Sequence, residues 1–340
     1  MSAQPIEVLI TQPFSDSLMD SLRAIAPRLR FTVFNKSRPE DIPPEVWQRT
    51  EVLYTSQILP TPEQAPQLRW IQFSYAGLDE LADNPILLKD GVQVTTLSGA
   101  AAAQVAEYAV TMMLALGHRL PQLFNQQIKN EWPKDRWERH SPLELRGSTV
   151  GLVGYGSIGR EIARLLQPFQ ATILAAKRNV MHPQDSGYIP EGLGDPEGNL
   201  FHRLYPVEAI KSMFKECDFV VVSLPLTDDT RDLIGAQELA AMRPTAYLID
   251  VGRGGIIKHS TLVAVLHDKK IAGAALDVFH QEPLPKEDPL WKMPNVILTP
   301  HIAGISPHYQ ERAAALFAEN LRRYLAGTSL LNRYDPEKGY

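Results

Sequence analysis

The stretch that decides the fold is Val150-Gly-Leu-Val-Gly-Tyr-Gly-Ser-Ile-Gly159. An apolar strand runs straight into a Gly-x-Gly-x-x-Gly turn, and a helical spacing of apolar residues follows it. Gly154 allows the tight turn, Gly156 lets the backbone approach a pyrophosphate, and Gly159 lets the helix pack closely on the strand. The pattern therefore predicts a strand, a phosphate-binding turn and a helix in direct succession.

The helix after this turn is predicted to begin near Ser157 and Ile158. Its first backbone N–H groups have no acceptor inside the helix, and the helix dipole places positive charge at the same end. Both features favour a phosphate group there. A glycine cluster can also mark a plain turn, but the strand before it and the helix and further strands after it favour a dinucleotide-binding site.

Short apolar runs alternate with helical or polar stretches along most of the chain. This alternation is typical of parallel sheets with helices on their faces. The continuous apolar runs of the second half indicate strands that are buried on both sides. The first series of runs comprises residues 7–11, 31–34, 52–55, 70–73 and 92–96. The second comprises residues 149–153, 171–176, 219–224, 246–251, 274–278 and 296–299.

We predict an α/β fold of two doubly wound parallel-sheet domains, in which a Rossmann cofactor domain is inserted in a flavodoxin-like substrate domain. The apolar stretch 100–120 is expected to form a helix that is buried or lies between the domains, and the domain boundary is placed at its start. The substrate or catalytic domain is expected at residues 1–100 and 302–340. The dinucleotide-binding domain is expected at residues 101–301.

The bulk composition limits the classes of function. The 340 residues suffice for two domains, and 44% hydrophobic with 21% charged residues is typical of globular proteins. A formal net charge of -5 gives no electrostatic basis for binding nucleic acid or a membrane surface. Residues 1–5 show no secretory-signal pattern, and Cys217, the single cysteine, excludes an internal disulfide. We expect a cytoplasmic enzyme.

The residues at the end of the predicted strand 171–176 bear on the choice of cofactor. Enzymes that prefer NAD commonly place an acidic residue there, where it binds the ribose hydroxyls. This chain has Lys177 and Arg178 instead, and their positive charges suit the 2′-phosphate of NADP. We therefore predict NADP, with NAD as the alternative cofactor. The competing interpretation is a pair of solvated surface cations.

Segment 179–206 follows directly and shows no apolar period. It is rich in Gly, Pro and charged residues, and so long a loop usually either has a function or is disordered. Because it begins beside the predicted 2′-phosphate site, we expect it to pack near the adenosine end and to become more ordered when cofactor binds. A surface loop without function is the alternative.

Three residues that follow successive predicted strands point to the chemistry. Arg253 lies in Asp250-Val-Gly-Arg-Gly-Gly255, Glu282 in Leu276-Asp-Val-Phe-His-Gln-Glu-Pro283, and His301 in Leu298-Thr-Pro-His-Ile-Ala-Gly304. Together with the glycine motif, these segments resemble the D-isomer-specific 2-hydroxyacid dehydrogenase family, and the likeness covers nearly the whole chain. The glyoxylate/hydroxypyruvate reductase-like branch is one option within that family.

The resemblance implies a role for each of the three residues, and the chemistry agrees with it. Arg253 would bind the substrate carboxylate and polarise the carbonyl. His301 would contact the substrate and supply or take up the proton on its oxygen. Glu282 would orient the imidazole and stabilise its protonated form. The expected activity is hydride transfer between NAD(P)H and a small 2-oxo or D-2-hydroxy acid, with reduction of the 2-oxo acid as the expected direction.

The resemblance also implies contacts outside this trio. Backbone N–H groups near Ala76 and Gly77 would bind the substrate carboxylate. Asp277 corresponds to the family residue that faces the nicotinamide carboxamide. Pro225 and Thr230, in Leu224-Pro-Leu-Thr-Asp-Asp-Thr230, are expected to contact the cofactor.

Two other functions stay open at this point. Some relatives of this fold are dinucleotide-sensing corepressor-like binding proteins, and others oxidise a D-hydroxy acid with NAD. We also expect a two-fold symmetric homodimer, because stretch 100–120 and the Trp-bearing segment 130–139 offer more apolar surface than a monomer would hide. The scattered histidines lack the spacing of metal ligands, so no metal is expected.

Overall fold

The computed structural model describes residues 4–35, 38–79, 81, 83–185 and 187–340. The first three residues of the opening segment, in which no secretory signal is expected, lie outside the described residues. The chain divides into two compact units, one made of Met1–Ala101 with Ser306–Tyr340 and the other of Ala102–Ile305. No helix in the described ranges combines the length and apolarity needed to cross a membrane.

The described elements alternate between strand and helix along the chain. The strands are β1 (Ile6–Ile10), β2 (Leu29–Val33), β3 (Val52–Thr55), β4 (Trp70–Phe73), β5 (Gln93–Thr95), β6 (Thr149–Val153), β7 (Thr172–Lys177), β8 (Arg203–Pro206), β9 (Phe219–Val222), β10 (Tyr247–Asp250), β11 (Gly273–Leu276) and β12 (Val296–Leu298). The helices are α1 (Asp16–Arg23), α2 (Pro44–Arg49), α3 (Ala102–Gly117), α4 (Leu120–Ile128), α5 (Arg136–Arg139), α6 (Ser157–Leu166), α7 (Ile210–Phe214), α8 (Ala236–Leu239), α9 (His259–His267) and α10 (Tyr309–Ala326).

The first unit contains a five-stranded parallel sheet in the order β2-β1-β3-β4-β5. Its C-terminal helix α10 covers this sheet, because Phe317 is fully buried and lies 5.5 Å from the Trp70 ring and 4.9 Å from the Tyr54 ring. Buried aromatic side chains of this size contribute much of a domain's apolar stabilisation. The two ends of the chain thus share one hydrophobic core.

The second unit contains a seven-stranded parallel sheet in the order β12-β11-β10-β9-β6-β7-β8. The chain proceeds outward from β6 to β7 and β8, and then returns to the other side of β6 with β9. In such a sheet, ligands bind beyond the carboxyl ends of the strands where the order reverses, between β6 and β9. Helix α3 packs against α6 and β10 within this unit, which is why its sequence is apolar almost all round.

The prediction that residues 179–206 form a structureless loop is wrong at its end. Residues 203–206 form β8, which pairs with β7 at the edge of the second sheet. Only Tyr205 of this strand is buried, since an edge strand needs few apolar side chains. A short strand with one buried residue and a terminal proline leaves no periodic pattern in the sequence.

Candidate active site

The glycine turn between β6 and α6 has the shape that a pyrophosphate site requires. Gly154 has a φ of +106°, a conformation that side chains rarely adopt. A Cβ at Gly159 would overlap the carbonyl oxygen of Gly154, so only glycine lets the helix pack this closely. A Cβ at Gly156 would meet nothing within 4 Å, so its backbone borders open space. These residues fit a dinucleotide phosphate.

Helix α6 begins at Ser157, so the N–H groups of Ser157 and Ile158 belong to its first turn. Groups in this position have no acceptor within the helix, and the positive end of the helix dipole lies with them. The two residues predicted to bind phosphate are therefore placed with their backbone donors at the carboxyl edge of β6.

Pro225 and Thr230 form a closed turn after β9, the strand beside β6. The Thr230 hydroxyl donates to the Pro225 carbonyl oxygen at 2.7 Å and accepts from the Thr227 N–H at 2.8 Å. Ser223, at the start of this loop, donates to the Gly154 carbonyl oxygen at 3.3 Å. The turn thus lies at the same edge of the sheet as the glycine turn, where it can border a dinucleotide.

The two cations at the end of β7 have different surroundings. The Lys177 ammonium donates to the carbonyl oxygens of His182 at 2.7 Å and Gln184 at 3.2 Å. Burial, and then the neighbouring charge of Arg160, lower the pKa of Lys177. Arg178 is more exposed and forms an ion pair with Asp229 at 3.3 Å. Lys177 therefore ties the following segment to β7, whereas the Arg178 guanidinium lies at the surface.

Glu282 and His301 are 19 residues apart in sequence, but their side chains lie at ion-pair distance. His301 Nδ1 lies 2.8 Å from Glu282 Oε2, and Glu282 Oε1 accepts the Phe279 N–H at 3.0 Å. The carboxylate is thereby fixed by the backbone of its own loop and fixes the imidazole in turn. The contact leaves Nε2 as the ring nitrogen that can exchange a proton with a substrate.

Arg253 lies in the turn after β10, close to the loop that carries Glu282. A Cβ at Gly254 would overlap the Phe279 carbonyl oxygen, so the Arg253 turn packs directly on the 279–282 loop. Sequence reasoning did not single out Gly254, although its position after Arg253 was visible. A glycine adjacent to a candidate catalytic residue signals a close backbone approach.

Asp277 is buried and holds the loop that presents His301. Its Oδ1 accepts from the Thr299 hydroxyl at 2.6 Å and from the Ile302 N–H at 2.9 Å, and its Oδ2 accepts from the Ala303 N–H at 2.9 Å. The His301 N–H also donates to the Asp277 carbonyl oxygen at 2.9 Å. His301 has a φ of 52°, an uncommon conformation for a non-glycine residue. The dense bonding from Asp277 maintains it.

A second acidic residue, Asp250, lies at the end of β10 with its carboxyl group buried. Burial and, to a smaller extent, the charge of Asp277 raise the pKa of Asp250 to about 7, although the Gly252 N–H donates to it at 3.1 Å. The His280 and His259 ring centres lie 3.9 Å apart, and His259 pairs with Asp288 at 2.9 Å. His280 thus belongs to a side-chain cluster with His259 and Asp288.

Ala76 and Gly77 follow β4 in the first unit, with Ala76 exposed. The neighbouring Tyr75 carbonyl oxygen accepts the Leu97 N–H at 3.0 Å, which fixes the start of this turn. Arg253, Glu282 and His301 all belong to the second unit. Across the residues that the structure describes, no three His, Cys, Asp or Glu side chains are grouped as a metal site.

Comparisons with known proteins agree with this architecture. The family described as "D-isomer specific 2-hydroxyacid dehydrogenase, NAD binding domain" matches residues 110–303. The chain belongs to the D-isomer specific 2-hydroxyacid dehydrogenase family. Membership confirms the resemblance and the predicted fold of two parallel-sheet α/β domains with a Rossmann domain. This family member is an NAD(P)-dependent oxidoreductase, and the corepressor-like alternative is not favoured.

Two relatives and one solved structure illustrate the range of similarity. The chain is 36% identical to a glyoxylate reductase of Thermofilum pendens over 78% of this chain and 74% of the relative. It is 31% identical to a D-3-phosphoglycerate dehydrogenase of Methanocaldococcus jannaschii over 78% of this chain, but it spans only 47% of that relative's length. The structure of a D-isomer specific 2-hydroxyacid dehydrogenase from Xanthobacter autotrophicus Py2, in complex with NADPH and MES, is 27% identical with a TM-score of 0.78, covering 99% and 100% of the two chains.

Proposed function

We propose that this dehydrogenase reduces a small 2-oxo acid to the D-2-hydroxy acid with NADPH, and that Arg253, Glu282 and His301 carry the reaction. The observation that supports this most is the 2.8 Å contact between His301 Nδ1 and Glu282, beside the Arg253 turn. All three residues follow strands at the carboxyl edge of one sheet, where open α/β folds bind their ligands.

The proton in this reaction is assigned to His301. The nicotinamide supplies the hydride to the carbonyl carbon when the cofactor is bound. Negative charge that develops on the substrate oxygen is neutralised by the proton that His301 holds on Nε2. Glu282 stabilises the protonated ring through Nδ1 and keeps it oriented during the transfer. In the oxidation direction, the same nitrogen takes the proton back.

Arg253 is assigned to the substrate itself. A guanidinium can donate two parallel hydrogen bonds to a carboxylate, and its charge favours electron density on the adjacent carbonyl oxygen. The close packing of the Arg253 turn on the 279–282 loop would keep this group in a fixed relation to Glu282. The backbone N–H groups of Ala76 and Gly77 are proposed as further donors to the substrate carboxylate.

Asp277 is proposed to act mainly by positioning. The family resemblance puts it near the nicotinamide carboxamide, yet its carboxylate already accepts three hydrogen bonds from the 299–303 loop. It therefore shapes the floor of the nicotinamide site and presents His301, while Pro225 and Thr230 border the cofactor through their closed turn.

The preferred cofactor is proposed to be NADPH, with NADH as the weaker alternative. The end of β7 carries Lys177 and Arg178 rather than an acidic residue, and Arg178 is the better placed of the two to meet a 2′-phosphate. The Xanthobacter autotrophicus Py2 enzyme that shares this fold is in complex with NADPH. The Asp229 carboxylate, which pairs with Arg178 in this structure, would be repelled by a 2′-phosphate bound to Arg178. The Asp229 side chain must therefore turn away when NADPH binds.

Glyoxylate and hydroxypyruvate are the proposed substrates. Several relatives are named glyoxylate reductases, including one that is 36% identical and another from Korarchaeum cryptofilum that is 33% identical. A small acid needs only a carboxylate clamp and a proton donor, the roles proposed for Arg253 and His301.

The enzyme is also proposed to be a cytoplasmic homodimer. The α4–α5 region exposes large apolar side chains that a second copy would bury in a two-fold interface. They are Leu123, Phe124, Ile128, Trp132 and Trp137. The buried free thiol of Cys217 agrees with a reducing compartment.

The test is a substrate screen with both reduced cofactors. The wild type should consume NADPH with glyoxylate or hydroxypyruvate, and His301→Ala should lower kcat by about 10²- to 10⁴-fold with cofactor affinity unchanged. His267→Ala is the matched control, because His267 is exposed at the end of α9 in the same unit. Equal kcat for the wild type and His301→Ala would reject the assignment.

A further inference from the structure

Segment 179–202, which separates β7 from β8, is fastened to the glycine turn through Tyr155. This tyrosine stands between the first two glycines of the motif, and it is 2% exposed. Its hydroxyl donates to Asp195 Oδ2 at 2.6 Å, and its ring meets the edge of the Phe201 ring at 5.3 Å. The turn that must hold the phosphates is therefore supported by two residues of the segment.

Asp195 organises the middle of the segment as well. Its carboxylate accepts the N–H groups of Gly198, Asn199 and Leu200 at 3.0–3.1 Å in addition to the Tyr155 hydroxyl. Burial acts to raise the pKa of Asp195, but the hydrogen bonds from Tyr155 and the backbone outweigh it and lower the pKa. The segment is thus folded around an ionised carboxylate that contacts the glycine turn.

Two charged residues in the first half of α6 complete the attachment. Arg160 is 1% exposed, lies 4.8 Å from the centre of the Tyr155 ring, and donates to the carbonyl oxygens of Asp195 and Pro183. Its Nε lies 3.4 Å from Asp185 Oδ2. The neighbouring Glu161 accepts the Gly194 N–H at 2.7 Å. Arg160 Nε makes no hydrogen bond, so the attachment to α6 rests on the two carbonyl contacts of the guanidinium and on the Glu161 contact.

We propose that Tyr155, Asp195 and Arg160 form a brace that holds the glycine turn and α6 in the geometry for binding the cofactor pyrophosphate. The three are positioning residues, and segment 179–202 contributes Asp195 to the brace. The inference rests on the proposed function only in that the dinucleotide binds at Gly154–Gly159. Under this proposal, segment 179–202 is not a surface loop without function. Its role is to support the pyrophosphate site, which is distinct from recognition of the 2′-phosphate.

The brace predicts a specific pattern in the affinities for the two reduced cofactors. NADPH and NADH share the pyrophosphate and differ at the 2′ position, so loosening the turn should weaken both nucleotides by the same factor. Removing the guanidinium of Arg178 should weaken NADPH alone. A purely structural role for Tyr155 would lower the melting temperature without a matching change in the affinity of the remaining folded protein.

The experiment compares Tyr155→Phe with Tyr205→Phe in the full-length protein. Tyr205 also lies in the second unit and donates to Glu216 at 2.8 Å, so the control loses a hydrogen-bonded tyrosine hydroxyl on β8, outside the brace. Dissociation constants for NADPH and NADH come from the fluorescence of the reduced nicotinamide, and kcat is measured at saturating cofactor. We expect Tyr155→Phe to raise both dissociation constants by the same factor, about five- to tenfold, with kcat within about twofold.

A second variant, Asp195→Asn, should act in the same direction and at least as strongly, because the amide also loses backbone N–H contacts. Adding Tyr155→Phe to it should change little, because both variants disrupt the Tyr155–Asp195 contact. Normal affinities in Tyr155→Phe, an effect on NADPH only, or an equal loss in Tyr205→Phe would overturn the brace. A wild type that binds neither nucleotide would instead reject the proposed function itself, and the brace with it.

Discussion

Replacing Glu282 with glutamine tests the charge on the group that orients His301. The glutamine oxygen can still accept the Phe279 N–H, as Glu282 Oε1 does at 3.0 Å. The amide NH₂ then faces His301 Nδ1, where the carboxylate oxygen lies at 2.8 Å. Two donors now oppose each other whenever the ring is protonated, so the variant keeps the shape of the pair and loses its preference for the imidazolium.

The size of the effect follows from the exposure of the pair. A hydrogen bond to a charged group contributes about 1.5–3 kcal/mol. The His301 and Glu282 side chains are 45% and 36% exposed, so solvent screening favours the lower end of that range. About 1.5 kcal/mol corresponds to about a tenfold change in rate. The kcat/KM for reduction should therefore fall about tenfold in Glu282→Gln.

The assay is kcat/KM for 2-oxo acid reduction at saturating NADPH. The exposed Glu287 belongs to the same connection between β11 and β12, and Glu287→Gln supplies a control that also removes one negative charge. A kcat/KM for Glu282→Gln equal to those of the wild type and the control would refute the role assigned to this carboxylate.

Three further outcomes are expected. Arg178→Ala should lower kcat/KM for NADPH about tenfold or more and leave NADH within about twofold; equal losses in steady-state kinetics would contradict the 2′-phosphate assignment. Because burial raises the pKa of Asp250 from its ordinary value of 3.8 to about 7, its contribution to stability should be lost as pH rises from about 4 to about 7. Asp250→Asn should then raise the melting temperature at pH 8 more than at pH 5, and an equal change at both would count against it. Trp132→Ser with Trp137→Ser should convert a dimer into monomers in light scattering, whereas an unchanged dimer would place the interface elsewhere.

Most of the second sheet was predictable because its strands are buried on both faces. A strand such as β9 must be apolar at every position, and this leaves a continuous run in the sequence. Strand β8 escaped prediction because an edge strand has no such requirement. The glycine turn was predictable for another reason, since Gly154 and Gly159 satisfy local steric demands that other residues do not meet.

The residue types of the candidate site were predictable, but the hydrogen bonds that hold those residues in place were not. Arg253, Glu282 and His301 each follow a strand, so topology alone brings them to one edge of the sheet. The Asp277 carboxylate and the Asp195 network depend on partners more than 20 residues away or on irregular loop backbone. Neither kind of contact has a period or a local spacing, so the sequence gives no direct sign of it.

The most direct test of the account is the reduction of hydroxypyruvate by NADPH, followed by absorbance of the reduced nicotinamide and by the chirality of the product. Substrate-dependent NADPH consumption should yield D-glycerate and should fall by about 10²- to 10⁴-fold in His301→Ala. Formation of the L-isomer, or turnover in His301→Ala equal to that of the wild type, would contradict it.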